Sequence, residues 1–307
     1  MKLWTAATVS TFGDEITQLA IPTIAILTLE VTPFEIGLLG TIQFLPFILL
    51  TLPAGAWVDR LPRRPILIIG DIGRAMALAS IPVAFLLEAL TIYQLYVVAF
   101  VVGSLTVFFD VAYQSYLPSL VERDQLVEGN SKLEISRSGV QIGGPGVSGF
   151  VIGLVGAPLA IIGDVVTFLV SSASVFAIRK KEPPVDRHVD EHGEKRAGLR
   201  RDIADGMRYV LGHRHLRWIA ACTGTSNLFS NVYFTLLLVY VYRDIGLTVE
   251  VVGLAFSAAN VGVLAGAVLS SRIPRWIGVG PAILWSTVVF SVSGLLVPFA
   301  PRDVFVP

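Results

Sequence analysis

A ten-residue polar tract between two long apolar runs constrains the fold of this chain more than any other feature. The tract, residues 55–64, reads GAWVDRLPRR and contains Asp59, Arg60, Arg63 and Arg64. About 20 mostly apolar residues flank it on each side, which is enough for a helix to cross a bilayer. The sequence therefore predicts a short connecting loop between two membrane-spanning helices, and its arginines predict that this loop faces the cytoplasm.

The composition extends this prediction to the whole chain. Of its 307 residues, 54% are hydrophobic and only 15% are charged, whereas about 25% are charged in a typical soluble domain. We predict an all-α polytopic membrane protein with about nine transmembrane helices. The predicted spans are residues 5–29, 35–57, 66–87, 91–112, 132–155, 158–178, 216–241, 249–271 and 277–299.

Basic residues predict the orientation, because they accumulate in cytoplasmic loops. The opposite side of the predicted topology carries only Arg243 and Arg302. We therefore expect a cytoplasmic N-terminus and a multi-pass protein of the cell membrane, the inner membrane of a prokaryote. The basic residues on the predicted cytoplasmic side are Lys2, Arg60, Arg63, Arg64, Arg123, Lys132, those of residues 179–217, Arg272 and Arg275.

The chain divides into three predicted parts. Residues 1–178 form an N-terminal six-helix bundle, residues 179–215 a cytoplasmic linker, and residues 216–307 an incomplete C-terminal bundle of three helices. In the linker, apolar residues recur at helical spacing from Leu199 to Leu211, among charged residues. This pattern favours an amphipathic helix on the membrane face, and a generic solvated linker is the alternative.

A weaker copy of the tract lies near the C-terminus. Residues 54–63 and 265–275 both contain Ala-Gly-Ala followed by Arg-x-Pro-Arg, with one residue inserted in the second copy. The first copy joins the second and third predicted spans, and the second copy joins the second and third spans after the linker. Parallel repeats of this kind are one transporter construction. Chance similarity between two helix ends rich in glycine and alanine is the alternative.

These motifs carry a family resemblance. The tract resembles the signature loop between helices two and three of the major facilitator superfamily. A glycine-rich stretch in the fifth span looks like the fifth-helix motif of the drug-antiporter branch, and residues 117–131 and 205–211 are similar to the enterobactin-exporter and macrolide-efflux type. The resemblance implies a helical bundle of twelve helices, of which this chain supplies about nine. The glycine-rich motif consists of Gly139, Gly143, Gly144, Pro145 and Gly149.

The resemblance also implies mechanical roles for both motifs. The tract, with Gly55, Asp59, Arg60, Arg63 and Arg64, is expected to act as a cytoplasmic gating loop, and a simple topology anchor is the alternative. The glycine-proline helix is expected to control which side opens. Tight helix packing alone is the alternative for that motif, because glycines let helices approach closely.

Polar side chains inside the predicted spans are candidates for proton coupling or substrate binding. We favour Asp14, which lies near the middle of the first span, where a carboxylate is costly unless it is neutralised, paired or facing a wet cavity. A structural carboxyl group that hydrogen-bonds within the bundle is the alternative. The other candidates are Glu15, Gln18, Arg137, Gln141, Asp164, Asn227 and Asn231.

A second group of charges is predicted in the third and fourth spans. Asp71 and Arg74 are three residues apart on one helix and can pair, and Asp110 is another possible partner of Arg74. We favour a structural charge network here over a transport site.

The sequence thus predicts a secondary active transporter for proton-coupled efflux of a small organic molecule, such as a drug, macrolide or siderophore-like compound, by alternating access. The alternative is a truncated, transport-inactive protein, or one that needs a complementary chain. The lipid bilayer and the substrate are the expected partners, and the proton gradient supplies the energy without a cofactor. We expect no nucleotide, since the sequence has no P-loop. We also expect no enzyme activity, metal site or nucleic-acid partner, since the sequence shows no metal-ligand spacing and no nucleophile elbow.

Overall fold

The structure is a computed structural model that describes residues 2–120, 126–178, 199–270 and 272–296. All the regular secondary structure in these ranges is helical. The helices are α1 (Lys2–Thr23), α2 (Pro33–Val58), α3 (Arg63–Leu86), α4 (Ile92–Leu120), α5 (Leu126–Val155), α6 (Ala157–Phe176), α7 (Leu199–Gly212), α8 (Arg214–Val239), α9 (Val249–Leu269), α10 (Ile273–Ile277) and α11 (Val279–Leu296).

The prediction of an all-α polytopic membrane protein is confirmed. Within the described ranges, six helices are long and apolar enough to cross a membrane, namely α2, α3, α4, α5, α6 and α9, and α11 is a shorter apolar helix. The first and seventh predicted spans coincide with α1 and α8, which carry polar residues in their middle. The boundaries of the three predicted parts stay a prediction; residues 179–198 of the linker and residues 297–307 lie outside the described residues.

The polar tract ends α2 and begins α3. The backbone of Asp59 closes α2 through a hydrogen bond to the oxygen of Gly55, and Pro62 stands immediately before the first residue of α3. Proline cannot continue the preceding helix, because it has no N–H to donate to the turn before it. The predicted short connecting loop between two spans is therefore present.

The ends of α1 and α8 repeat each other. Each helix continues into a π-helical segment, Ile24–Thr28 after α1 and Tyr240–Ile245 after α8. The next helix then begins after a threonine N-cap, Thr32 for α2 and Thr248 for α9. The starts of the two π segments and the two N-caps are each 216 residues apart.

The hydrogen bonds that close these two segments are also equivalent. The N–H of Val31 donates to the oxygen of Ala25 at 3.2 Å, and the N–H of Leu247 donates to the oxygen of Val241 at 3.1 Å. Both bonds reach back six residues, and the two pairs are again 216 residues apart. The local geometry therefore supports the internal repeat that the loop sequences suggest.

The bundle has two ends, which we name by their residues. The arginine end carries the tract 55–64 and the ends of α4 and α6; the hairpin end carries the two π segments and residues 29–32 and 246–248. We call residues 2–178 the first half and residues 199–296 the second half. Between the halves, α5 packs along α9 and α2 along α8.

Buried side chains are distributed differently at the two ends. A core cluster at the arginine end consists only of residues from the first half, such as Val58, Leu67 and Tyr116. A second cluster reaches the hairpin end and combines both halves, with Ile24 and Ile26 from the first. The second half contributes Leu238, Val239, Tyr242, Val249 and Val252 to this shared cluster.

Candidate functional site

The centre of the candidate site is Arg74 on α3, whose side chain is only 1% exposed. Its guanidinium lies between two aromatic rings, with Cζ 4.3 Å from the ring centre of Phe109 on α4 and 4.1 Å from that of Phe168 on α6. A cation over an aromatic face is stabilised by about 2 kcal/mol when it is desolvated. Three helices therefore fix the position of this charge.

Two aspartates approach the same guanidinium. Nη2 of Arg74 donates to Oδ1 of Asp71 at 2.5 Å, and Nη1 lies 4.0 Å from Oδ1 of Asp14 on α1. Nη1 also lies 3.4 Å from the hydroxyl of Thr106 on α4. The structure thus brings Asp71 and Arg74 together and links them to Asp14. Among the described residues, Asp110 makes no ion pair with Arg74 and is exposed.

Asp164 on α6 is a further carboxyl group at this level and is fully buried. It accepts a hydrogen bond from the hydroxyl of Thr17 on α1. The hydroxyl of Thr167 lies 3.0 Å from its Oδ1. Gly13 permits this arrangement, since a Cβ at that position would overlap the Asp164 carboxylate. The close approach of α1 and α6 therefore depends on a missing side chain.

The charges in this cluster do not balance. Two carboxylates, those of Asp14 and Asp71, approach the buried guanidinium of Arg74, and a third, that of Asp164, lies beside Thr17 of α1. An unpaired buried carboxylate costs several kcal/mol, so a cluster with this composition is most stable when at least one carboxyl group carries a proton or meets a second cation. The arrangement can hold and release a proton.

The remaining candidates on α1 lie outside the charge cluster. The side chain of Glu15 packs on Gly144 of α5, where a Cβ would overlap it, and Gln18 is exposed. Glu15 and Asp14 therefore face different neighbours, as their 100° separation on a helix predicts.

The glycines of the α5 motif serve two different surroundings. Gly139 and Gly143 have no atom close to where a Cβ would lie, whereas Gly149 faces Gly253 of α9 so closely that the backbones nearly touch. Pro145 contributes its carbonyl oxygen to the same contact. The motif thus forms part of the joint between the two halves, where small residues allow close packing.

Two hydrogen bonds extend the joint between α5 and α9. The N–H of Gly146 donates to the hydroxyl of Ser257 at 2.8 Å. The amide of Asn260 donates to the backbone oxygen of Gln141 at 2.6 Å. Gln141 therefore contributes its backbone to this joint, and Arg137, one turn earlier on α5, is exposed.

The amides on α8 bond to their own helix. Nδ2 of Asn227 donates to the oxygen of Thr223 at 2.8 Å, and Nδ2 of Asn231 donates to the oxygen of Asn227 at 3.0 Å. Such back-bonding satisfies the side-chain donors locally. Each amide thus uses one of its two N–H donors within the helix.

The tract 55–64 braces the first half at the arginine end. Nη2 of Arg64 donates to the backbone oxygen of Phe176 at 2.6 Å, and its guanidinium lies 5.7 Å from the ring centre of Phe176. A cation at the C-terminus of a helix meets unsatisfied carbonyls and the negative end of the helix dipole. This contact fixes the start of α3 to the end of α6.

Sequence reasoning missed several partners in the cluster. Phe109 and Phe168 are ordinary apolar residues in apolar spans, and nothing local marks them as neighbours of a cation. Thr17 carries a weak signal, since it lies three residues after Asp14 and shares its helix face.

Comparison with known proteins gives a consistent result. A family model described as Major Facilitator Superfamily matches residues 3–305. The MFS-type transporter YfiS of Bacillus subtilis is 30% identical over 152 residues, which cover 50% of this chain and 35% of YfiS. The multidrug efflux pump Tap of Mycolicibacterium fortuitum is 26% identical over 96% of this chain and 72% of Tap. Tap of Mycobacterium tuberculosis (strain H37Rv) is 24% identical over 94% and 69%.

Proposed function

Because the chain belongs to the Major Facilitator Superfamily, we propose that it is a secondary transporter that exports a small organic molecule in exchange for protons. The superfamily prediction made from residues 55–64 is confirmed by the match over residues 3–305. Proton coupling, the type of cargo and the direction of transport are parts of the proposal.

The observation that carries the proposal is the position of Asp14. Its side chain is 39% exposed, while Arg74, 4.0 Å away, is 1% exposed. One carboxyl group therefore stands between an accessible space and a buried cation. Protonation of Asp14 weakens its attraction to Arg74 without breaking the 2.5 Å bond between Arg74 and Asp71.

Asp164 is the second proton site in this proposal. It is buried beside Thr17, one turn from Asp14 on α1. A movement of α1 relative to α6 changes the surroundings of Asp14 and Asp164 together. This shared dependence on α1 links proton uptake to a change in the position of a helix, which is what coupled transport requires.

The relatives support a drug-like cargo. Two of the proteins that this chain resembles are named multidrug efflux pumps. A partly exposed carboxylate among apolar helices attracts a molecule that is apolar and carries a positive charge. We therefore propose a lipophilic cation as the preferred cargo, with the lipid bilayer as the surroundings and the proton gradient as the energy source.

Orientation completes the proposal. With a cytoplasmic N-terminus, the arginine end faces the cytoplasm and the hairpin end faces outward, as the distribution of basic residues predicts. The shared core at the hairpin end then closes the outward side, and cargo enters from the cytoplasmic side. Alternation between this arrangement and its opposite moves the cargo across the cell membrane.

The alternative is that the chain requires a complementary chain for transport. It spans 72% of the length of one Tap relative and 69% of the other. The activity of the chain by itself is therefore tested together with the role of Asp14.

The test uses the 307-residue chain in liposomes with an imposed proton gradient and a fluorescent lipophilic cation. We expect gradient-driven movement of the cation, its loss in Asp14→Asn, and normal movement in the control Glu88→Gln, which changes an exposed carboxyl group between α3 and α4. Coupled transport that is unaltered in Asp14→Asn would contradict the role of Asp14. A wild-type chain without transport, which becomes active only with added helices, would support the alternative.

A further inference from the structure

The hairpin end contains a polar contact between the two halves that the charge cluster does not involve. Nη2 of Arg243, in the second π segment, donates to the backbone oxygen of Ile26 at 3.1 Å and to that of Val31 at 2.8 Å. Both acceptors belong to the first half. One guanidinium therefore joins the end of α8 to the end of α1.

The acceptors are atoms that otherwise lack helical partners. The last carbonyls of a helix have no N–H ahead of them to accept from. Ile26 lies in the first π segment, and Val31 lies after it. The N–H of Val31 already donates to the oxygen of Ala25. A cation is favourable at this position because it meets the negative end of the helix dipole. Arg243 thus caps α1 from the other half.

A second bond lies directly beside this cap. The hydroxyl of Thr23 lies 2.7 Å from the oxygen of Leu19 and 3.1 Å from the hydroxyl of Tyr242. A hydroxyl has one proton to donate; since that of Thr23 goes to Leu19, Tyr242 is the donor to Thr23. Thr23 and Tyr242 are both buried. The second half therefore supplies both donors to the end of α1.

The internal repeat shows that this contact is one-sided. At a separation of 216 residues, Arg243 corresponds to Leu27 and Tyr242 corresponds to Ile26. Neither side chain can donate a hydrogen bond. The duplicated helix ends thus share their backbone geometry, but at these ends it is the second half that carries the side chains that donate across to the other half.

We propose that Arg243 and Tyr242 are positioning residues that lock the end of α1 to the second half, and that their release from Ile26, Val31 and Thr23 is the step that opens the hairpin end. This proposal rests on the proposed function, since opening matters only to a protein that alternates. The lock acts on the helix that carries Asp14 and Thr17. It therefore connects opening of the hairpin end to the surroundings of the charge cluster.

The π segments suit this role. A π-helical turn holds one residue more per hydrogen-bonded turn than an α-helix, and such turns are frequent at functional sites. Both helices that meet at the lock end in such a turn. Loss of the Arg243 bonds leaves the carbonyls of Ile26 and Val31 without the side-chain donor that ties them to the second half.

The experiment measures opening without measuring transport. Cys222 is the single cysteine and is replaced in Cys222→Ser, and a reporter thiol is placed by Ala20→Cys. Ala20 is buried and lies one turn before Thr23 on α1. The rate of reaction with a membrane-impermeant maleimide is measured in sealed vesicles of both orientations. A separate thiol, Asp244→Cys, identifies the vesicles whose outer side carries the hairpin end.

We expect Arg243→Ala to raise the labelling rate at the reporter about tenfold, as loss of charge-assisted hydrogen bonds predicts. Arg243→Lys keeps a charged donor but changes its reach and its planar geometry, and it is expected to give a smaller increase. Tyr242→Phe removes one hydroxyl group and is expected to raise the rate about threefold. Asp244→Asn, next to the lock, is the matched control and leaves the rate unchanged.

Equal labelling rates in wild type, Arg243→Ala and Tyr242→Phe would overturn the lock. If Arg243→Ala fails to fold, Tyr242→Phe decides, because it removes a single atom and keeps the ring. Failure of the proposed function gives a different result. If the wild-type chain does not transport but labelling still rises in the variants, the lock is supported and the proposed transport is contradicted. If the chain transports but labelling is unchanged in the variants, the lock is contradicted.

Discussion

The two ends of the bundle are closed by different parts of the chain. At the hairpin end, the buried core combines both halves, and Arg243 and Tyr242 add hydrogen bonds across the joint. At the arginine end, the core cluster contains only the first half, and Arg64 braces α3 against α6 within that half. The described residues of the two halves thus share a buried core only at the hairpin end.

This difference indicates where movement is possible. The contacts inside the first half, centred on Arg74, hold α1, α3, α4 and α6 together and have no counterpart across the joint. The contacts across the joint are the shared apolar core at the hairpin end, a glycine-to-glycine approach between α5 and α9, and a few hydrogen bonds. Four further substitutions test this comparison, in decreasing order of effect.

The largest effect is expected for Arg74→Ala, which removes the contacts that hold the helices of the first half together. It leaves Asp71 buried without its cation and removes the group between Phe109 and Phe168. Removing one partner of a buried pair destabilises a protein by about 3–5 kcal/mol. Thermal unfolding in detergent is expected to occur well below the wild-type temperature. The double change Arg74→Ala with Asp71→Asn should recover part of the loss, and no recovery would contradict the pairing.

The next effect is expected at the joint. Gly149→Val places a branched side chain where the α5 and α9 backbones nearly touch, and overpacking of this kind costs about 1–3 kcal/mol. We expect faster maleimide labelling of the Ala20→Cys reporter from the hairpin end. Gly139→Val, on the same helix but with no atom close to its new side chain, is the matched control. Similar labelling in the two variants would show that the joint does not depend on close packing.

At the arginine end, Arg64→Ala is expected to cost about 1.5 kcal/mol, the low end of the range for a hydrogen bond to a charged group. The change removes the cap on Phe176, which lies within the first half. Stability is therefore expected to fall slightly while labelling at the hairpin end stays at the wild-type rate. Faster labelling would mean that the tract controls the distant end, as the family resemblance predicts for a gating loop.

The smallest effect is expected for Thr32→Ala at the hairpin end. Thr32 caps α2 through reciprocal hydrogen bonds with Glu35, including its N–H to Oε2 at 2.8 Å, and loss of an N-cap costs about 1 kcal/mol. Its repeat equivalent Thr248 has no such side-chain cap bond, so Thr248→Ala is the control. The two variants are compared by thermal unfolding, and an equal loss of stability in both would contradict the difference between the two repeats.

Much of the fold follows from local sequence. The apolar lengths predict the helices, and the tract and its weaker copy predict the short connecting loop and the family. The spacing of Asp71 and Arg74 predicts their pairing. These features depend on residues that are close in the chain. The repeat is visible in the loops because both copies keep glycine and arginine at similar spacing.

The rest of the site depends on neighbours that are distant in the chain. Phe109 and Phe168 contact Arg74 only because α4 and α6 pack beside α3, and no periodicity encodes which apolar residue meets a cation. Asn227 and Asn231 look like cavity residues in the sequence, yet their amides donate to their own helix. Arg243 gave a signal, as one of two basic residues on its side, but its acceptors are backbone atoms that every residue possesses.

In the proposed cycle, the hairpin end is closed at rest and opens during transport, while the arginine end closes. Spin labels in the Cys222→Ser background test it directly, with one pair at Glu30→Cys and Asp244→Cys and another at Leu61→Cys and Trp276→Cys. Distances are measured at neutral and at acidic pH, with and without a lipophilic cation. We expect the label pair at the hairpin end to show a longer distance under the conditions in which the pair at the arginine end shows a shorter one. Distances that stay single and unchanged at both ends, in a protein that transports, would contradict it.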